Sequence, residues 1–211
     1  MPIVSCIILA GGRSSRLGVE KAFLEIGGRP IIERVVERMT MLGDEVILVT
    51  NNPEQFAYLG LCMVGDVQPG QGALGGLYSG LLAVNNDYSV VVACDMPFLN
   101  LNLLRYMILL TPEQDVVIPR LGNELEPLHA IYSRECLEPI ERALSRGERR
   151  VVAFLPEVRV RYVDWHEIGI LDAKYLSFFN VNTREDWERA LQLAEEEADD
   201  TNRVGDARQT R

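Results

Sequence analysis

Histidine and paired cysteine are both in short supply in this chain. Only His129 and His166 occur, and Cys6, Cys62, Cys94 and Cys136 are widely spaced with no CxxC pair. That speaks against a histidine-based metal site, a zinc site or a disulfide framework, and it leads to an expectation of reduced, mostly buried thiols. No run approaches the eighteen apolar residues that mark a membrane span, and no basic region precedes an apolar segment at the N-terminus, so the expectation is a soluble, cytoplasmic protein without a membrane partner. Positive charge is also scarce. With 21 Lys and Arg against 31 Asp and Glu, the formal charge of -10 argues against nucleic acid as a partner, which would demand a basic face. A small anionic substrate stays open, provided that positive charge is gathered locally. No Ser/His/Asp or Cys/His constellation offers a protein nucleophile.

What is present is the composition of a globular α/β chain. At 211 residues, with 47% hydrophobic and 25% charged residues, it is long enough for one well-buried domain and short for two. The stretch from Cys6 to Lys21 organises the rest. Cys6, Ile7, Ile8 and Leu9 read as a buried strand that stops abruptly at Gly11 and Gly12, after which Arg13, Arg16 and Lys21 supply three cations. A loop without bulky side chains lets backbone N–H groups approach an anion, so this composition suits a polyphosphate cradle. The same residues also suit a tight turn followed by a basic surface loop. The spacing of Gly11, Gly12 and Gly18 matches neither a Walker A loop nor a dinucleotide fingerprint.

Further along, Ile31, Ile32, Val35, Val36 and Met39 recur at helical spacing. Glu45 to Thr50 is a strand without alternation, as expected when both faces of a parallel sheet are covered. Asn51, Asn52 and Pro53 end it at the edge where open α/β sheets bind ligands. A short helix near residues 54–59 leads to a strand at Cys62 to Val64, which ends at Gly65 and Asp66. The glycine-dense run from Gln68 to Gly76 enters a helix near Leu74 that lasts to about Asn85. Ser89 to Cys94 is a second all-apolar strand and delivers Asp95 at its carboxyl end, just before Met96 and Pro97. That position suits a carboxylate meeting a ligand-bound Mg2+, although such an Asp also serves as a helix cap or turn residue. Helices are expected over 101–110 and 136–145, with strands over 115–119 and within 126–132. The stretch from Glu157 to Val163 alternates, so it is placed at a half-exposed edge. Thr183 to Asp186 is a capping box that opens a last helix through Glu197, and residues from about 199 onward read as a disordered acidic and polar tail.

The run Leu-Ala-Gly-Gly, x, Ser, x, Arg, Leu, Gly, x, x, Lys from Leu9 to Lys21 resembles the signature loop of the NTP-transferase family, most closely its molybdenum cofactor guanylyltransferases, with Leu17 where Met is usual. Gly72 to Gly80, Val92 to Phe98 and Asn180 to Thr183 match the same pattern in the same order. Glu126 to Leu128 and Arg146 to Val151 also look like family landmarks. The resemblance implies a single-domain, Rossmann-like three-layer α/β sandwich over residues 1–198, of the nucleotide-diphospho-sugar transferase type. Its mostly parallel twisted sheet would carry helices on both faces.

The resemblance further implies GTP held by Leu9, Ala10, Gly11, Gly12 and Lys21, with Asp66 near the nucleoside and Asp95 carrying Mg2+. Asn180 and Asn182 become candidates for the pterin substrate, or else simply satisfy backbone groups. The implied reaction joins the terminal phosphate of molybdopterin or Mo-molybdopterin to the α-phosphorus of GTP and releases pyrophosphate. Other molybdenum cofactor biosynthesis proteins and molybdoenzyme chaperones are the implied partners. In that reaction Lys21, helped by Arg13 or Arg16, would hold the leaving phosphates. A molybdopterin cytidylyltransferase, a sugar-phosphate nucleotidyltransferase and a non-catalytic nucleotide-binding partner protein are the competing readings. Two departures bear on base selection: Ala73 and Gly75 stand where the family usually has Pro and Ala, and the residues Asn51 and Asn52 compete for one family role.

Overall fold

A computed structural model describes residues 2–11 and 21–209. Three residues of the glycine-rich loop assigned to phosphate from the sequence, Gly12, Arg13 and Arg16, lie outside the described residues.

Strand β1 (Val4–Leu9), buried along its whole length, occupies the interior of the sheet. A small antiparallel hairpin of β2 (Glu25–Ile26) and β3 (Arg29–Pro30) precedes helix α1 (Ile31–Thr40). Then come β4 (Glu45–Val49), the one-turn α2 (Pro53–Phe56), β5 (Cys62–Val64), α3 (Gly72–Ala83), β6 (Tyr88–Ala93) and α4 (Leu101–Leu109). The second half holds β7 (Val116–Leu121), β8 (Glu124–Leu125), β9 (His129–Ser133), α5 (Leu137–Ser145), β10 (Val160–Asp164), α6 (Trp165–Leu171) and α7 (Arg184–Gln209). Across the sheet the order is β10-β7-β9-β6-β1-β4-β5, with β8 added on β7. The pairs among β5, β4, β1 and β6 are parallel, as is β7 with β10, and β9 runs against both of its neighbours.

The lack of alternation in β1, β4 and β6 follows from this position. Val4, Cys6 and Ile8 point to one face, where Val90 and Val92 join them beneath α1 and α4, while Ile7 and Leu9 point to the other, with Ile47, Val49 and Val91 beneath α3 and α5. Both faces are dry, so each strand residue is apolar whichever way it points. Helix α3 lies so close to the sheet that a Cβ at Gly80 would sit 2.7 Å from Ile7 Cγ2 and 3.2 Å from Val49 Cγ2. The small residues of this helix are therefore a packing requirement as well as a family landmark. β10 takes the sheet edge expected from the sequence, but both of its faces are partly covered: Val160 and Tyr162 pack on one cluster, and the buried Val163 packs on the other.

Elements that were not read from the sequence include the β2–β3 hairpin, β8, the 3-10 helix Val151–Glu157 and α6. At the last helix, Asp186 N donates to Thr183 Oγ1 (3.1 Å) and Asp186 Oδ2 accepts from Thr183 N (2.8 Å), which is the reciprocal cap expected there. Its backbone stays helical to Gln209, past the end at Glu197 taken from composition. Among the described residues no helix is long and apolar enough to cross a membrane. No disulfide joins the four cysteines: Cys6 and Cys136 are buried, Cys94 is half-buried and Cys62 is exposed.

Candidate active site

Chain order creates the site. From β1 the chain moves outward through β4 to β5, then returns across the sheet through α3 to β6 on the other side of β1. Open α/β sheets bind ligands outside the carboxyl ends of the strands at such a reversal. A cavity of about 380 Å3 lies there. Its floor comes from the strand ends: Leu9 and Gly11 after β1, Thr50 and Asn51 after β4, and Asp95 after β6. Backbone bonds carry the ladder out to the lip, since Ala10 N donates to Val49 O (2.9 Å) and Cys94 N donates to Leu9 O (3.1 Å). Ala10 is buried and acts through that bond, whereas Gly11 is exposed, with nothing within 4 Å of where a Cβ would be.

Asp66, after β5, lies on one flank of the cavity. Its Oδ2 accepts from Asn51 Nδ2 at 2.8 Å, and its own N–H donates to Asn51 Oδ1 at 3.0 Å. Two reciprocal bonds lock these side chains into one unit, and Asn51 lines the cavity. Of the two neighbouring asparagines, Asn51 is the one that lines the cavity, whereas the N–H of Asn52 donates to Thr50 Oγ1 ahead of α2. Gly76, on the first turns of α3, faces this unit: a Cβ there would lie 3.7 Å from Asp66 Oδ1. Gly72 opens α3 with φ of +64°, in the left-handed region that glycine adopts without strain.

On the opposite flank the structure unites residues far apart in sequence. Lys21 Nζ donates to Asn182 Oδ1 at 2.6 Å. Val181 N donates to Asp95 O at 3.0 Å, so the Asn180 to Asn182 segment is stitched both to the β6 terminus and to the lysine. Burial pushes the Asp95 carboxyl above its ordinary range, and the nearby Lys21 ammonium opposes that shift. For Asp186, burial alone would raise the carboxyl, but donations from Asn182 and Thr183, together with Lys21, hold it below its ordinary range. Asn180 lines the cavity while its Nδ2 donates to Phe178 O at 2.9 Å, so one part of its amide is already committed to backbone. Of the described candidates, Leu9, Gly11, Asp66, Asp95, Asn180 and Asn182 line one cavity, with Lys21 bonded to its rim.

Leu128 is a wall that sequence reasoning did not assign. It sits on the turn before β9, its carbonyl accepts from Ala93 N at 3.1 Å, and it faces the cavity beside Asp95. The one available signal was the Glu126-Pro127-Leu128 landmark, since an isolated leucine carries no chemistry of its own.

A reversing parallel sheet with a glycine-lined crevice, Lys21 at its rim and the carboxylates of Asp66 and Asp95 at strand ends defines a nucleotide-binding α/β transferase. Comparison with known proteins makes the assignment narrower. Residues 6–160 match the MobA-like NTP transferase domain, and the chain belongs to that family. A probable molybdenum cofactor guanylyltransferase of Pelotomaculum thermopropionicum is 41% identical over 189 residues, covering 90% of this chain and 92% of its own length. The molybdenum cofactor guanylyltransferase of Desulfosudis oleivorans is 36% identical, over 90% of this chain and 95% of its own. Among solved structures, the molybdopterin-guanine dinucleotide biosynthesis protein A of Archaeoglobus fulgidus superposes with a TM-score of 0.80 at 27% identity, covering 92% of this chain and all of that one.

Proposed function

We propose that the chain transfers GMP from GTP to the terminal phosphate of molybdopterin, in its free or molybdenum-loaded form, and releases pyrophosphate. The observation that carries this reading is the meeting of Lys21, Asp95 and Asn182 at one cavity from three separate stretches. It is supported by relatives named guanylyltransferases that span nearly the whole chain. A terminal phosphate monoester has a second pKa near 6 and is largely dianionic at neutral pH. Its oxygen attacks the α-phosphorus, the bond to the bridging oxygen breaks, and the electron pair leaves with pyrophosphate. No protein base is needed, which suits a site without a nucleophile–base pair and leaves positioning and charge as the protein's contribution.

In this mechanism Lys21 draws the β- and γ-phosphates toward the rim, Arg16 contributes further positive charge, and Gly11, without a side chain, lets them approach the backbone closely. The Asn51–Asp66 unit holds the nucleoside end. Asn180 and Asn182 face the pterin. Among the described residues no group of three or more His, Cys, Asp or Glu side chains gathers as a metal cage. A single half-buried carboxylate at Asp95, its ionised form penalised by burial, fits Mg2+, which takes one or two protein carboxylates and completes its shell with phosphates and water. When bound, Mg2+ supplies neutralisation of the triphosphate charge.

We take residues 1–198 as the transferase domain, working in the cytoplasm, and the 199–211 segment as dispensable for chemistry. Removal of 199–211 is expected to leave kcat within about twofold of wild type, and a larger loss counts against that boundary. Base choice is tested by initial rates of pyrophosphate release with GTP, CTP and ATP, with and without molybdopterin. GTP is expected to lead, and only when the pterin is present. A lead for CTP would make the chain a cytidylyltransferase, and no release with any nucleotide would make it a binding protein.

A further inference from the structure

His129 lies behind the cavity wall, at the start of β9 and directly across from Val92 of β6. It is fully buried, and among the described residues neither ring nitrogen has a hydrogen-bond partner. Without a polar partner, the ring acts on its neighbours through its aromatic face. Its ring packs at 4.9 Å and 60° against Phe178. That contact lies behind both flanks of the pterin side. Leu128, the preceding residue, is one wall of the cavity, and Phe178 leads directly into the Asn180 to Asn182 wall, accepting the Asn180 amide on its carbonyl. Burial pushes the imidazole down to about 4 against the field of Asp172, so the ring is neutral around pH 7. Asp172 is itself buried and engaged with the N–H groups of Leu176 and Ser177, at 3.1 and 2.8 Å.

We infer that His129 is a positioning residue: by backing Phe178 it holds the Asn180 to Asn182 segment in register with Asp95 and Lys21, and so sets the pterin half of the site. The inference rests on the proposed pterin role of that segment. The segment's other attachments are Val181 N to Asp95 O, Asn182 Oδ1 to Lys21 Nζ and Asn182 N to Asp186 Oδ2, none of them made by β9. The His129–Phe178 ring contact supports it from the β9 side. Loss of the contact should let the asparagines shift while the Asn51–Asp66 nucleoside flank stays unchanged, because that flank depends on β4, β5 and α3.

Two variants separate this role from ordinary core packing. His129→Leu keeps volume but removes the aromatic ring, and His129→Phe keeps the ring but removes the nitrogens. In His129→Leu the KM for molybdopterin is expected to rise about tenfold, with GTP affinity by direct titration within about twofold of wild type. Amide exchange at Val181 should quicken in the same variant without any substrate present, and His129→Phe should restore both values. An unchanged Val181 exchange rate in His129→Leu would overturn the inference. So would a fall in GTP affinity and thermal midpoint in step with the pterin KM, which is the signature of general core damage. Failure of wild type to transfer GMP to molybdopterin would count against the proposed function alone, since the exchange measurement needs no substrate.

Discussion

In the Asp95→Asn protein, Mg2+-dependent turnover is expected to fall about a hundredfold or more while the thermal midpoint stays at or above that of wild type. Both halves follow from one feature. The Asp95 carboxyl is raised chiefly by burial at the end of β6, with Lys21 only partly offsetting it. A carboxylate raised in the folded state binds its proton more tightly there than in the unfolded chain. Its ionisation therefore costs stability as pH climbs from the ordinary carboxylate range through the raised value, and at neutral pH that cost is present. Asn keeps the shape and the backbone bond from Val181 but removes the charge, so folding loses a penalty. Under the proposed mechanism catalysis loses the carboxylate assigned to Mg2+, and preorganised charge at a transferring phosphoryl group is worth several kcal/mol. Melting curves and a Mg2+ titration of kcat measure the two effects. Unchanged activity at limiting Mg2+ would remove Asp95 from the metal role, and a large fall in the midpoint would mean that the charge is structural.

Lys21→Ala carries the second large effect, a loss of about ten- to a hundredfold in kcat/KM. A charge-assisted contact to phosphate in a partly shielded site contributes about 1.5–3 kcal/mol. Lys21 is half-buried rather than free in solvent, bonded to Asn182 and within the field of both Asp95 and Asp186. Lys21→Arg should recover only part of the loss, because a planar fork does not reproduce a compact charge on a flexible stem. If Lys21 were an ordinary surface cation, both variants would stay within about twofold of wild type at moderate salt, as exposed charges usually do. Steady-state kinetics of the two variants at fixed ionic strength decide between these outcomes.

Much of the frame was legible because burial writes itself into residue type. Strands covered on both faces must be apolar throughout, which exposed β1, β4 and β6, and the alternation of β10 marked an edge. Asp95 stood out because it follows the last apolar residues of such a strand, whereas Asp66 follows the edge strand β5 and was assigned through the family resemblance. Short elements without a periodic signal were missed, among them the β2–β3 hairpin, β8, the turn at Val151–Glu157 and α6, since two to seven residues carry too little pattern. The end of α7 was misjudged for another reason. Beyond Glu197 the backbone continues helically to Gln209, although Asp, Thr, Asn, Val and Gly in that stretch are weak helix formers and give no helical signal. The choice between Asn51 and Asn52 was not readable at all, because it depends on a side-chain pair formed across two strands. Leu128 and His129 share that property: their roles come from what β9 is folded against, and local sequence does not record it.

In the proposed reaction the α-phosphorus of GTP is the reacting centre, and the β- and γ-phosphates depart together past Lys21. GTP labelled either at the α- or at the γ-phosphorus, incubated with molybdopterin and Mg2+, tests this most directly. The prediction is α-label in the pterin product and γ-label wholly in pyrophosphate. Label from the γ-phosphorus on the pterin, or α-label left in free GMP or GDP with none on the pterin, would contradict it.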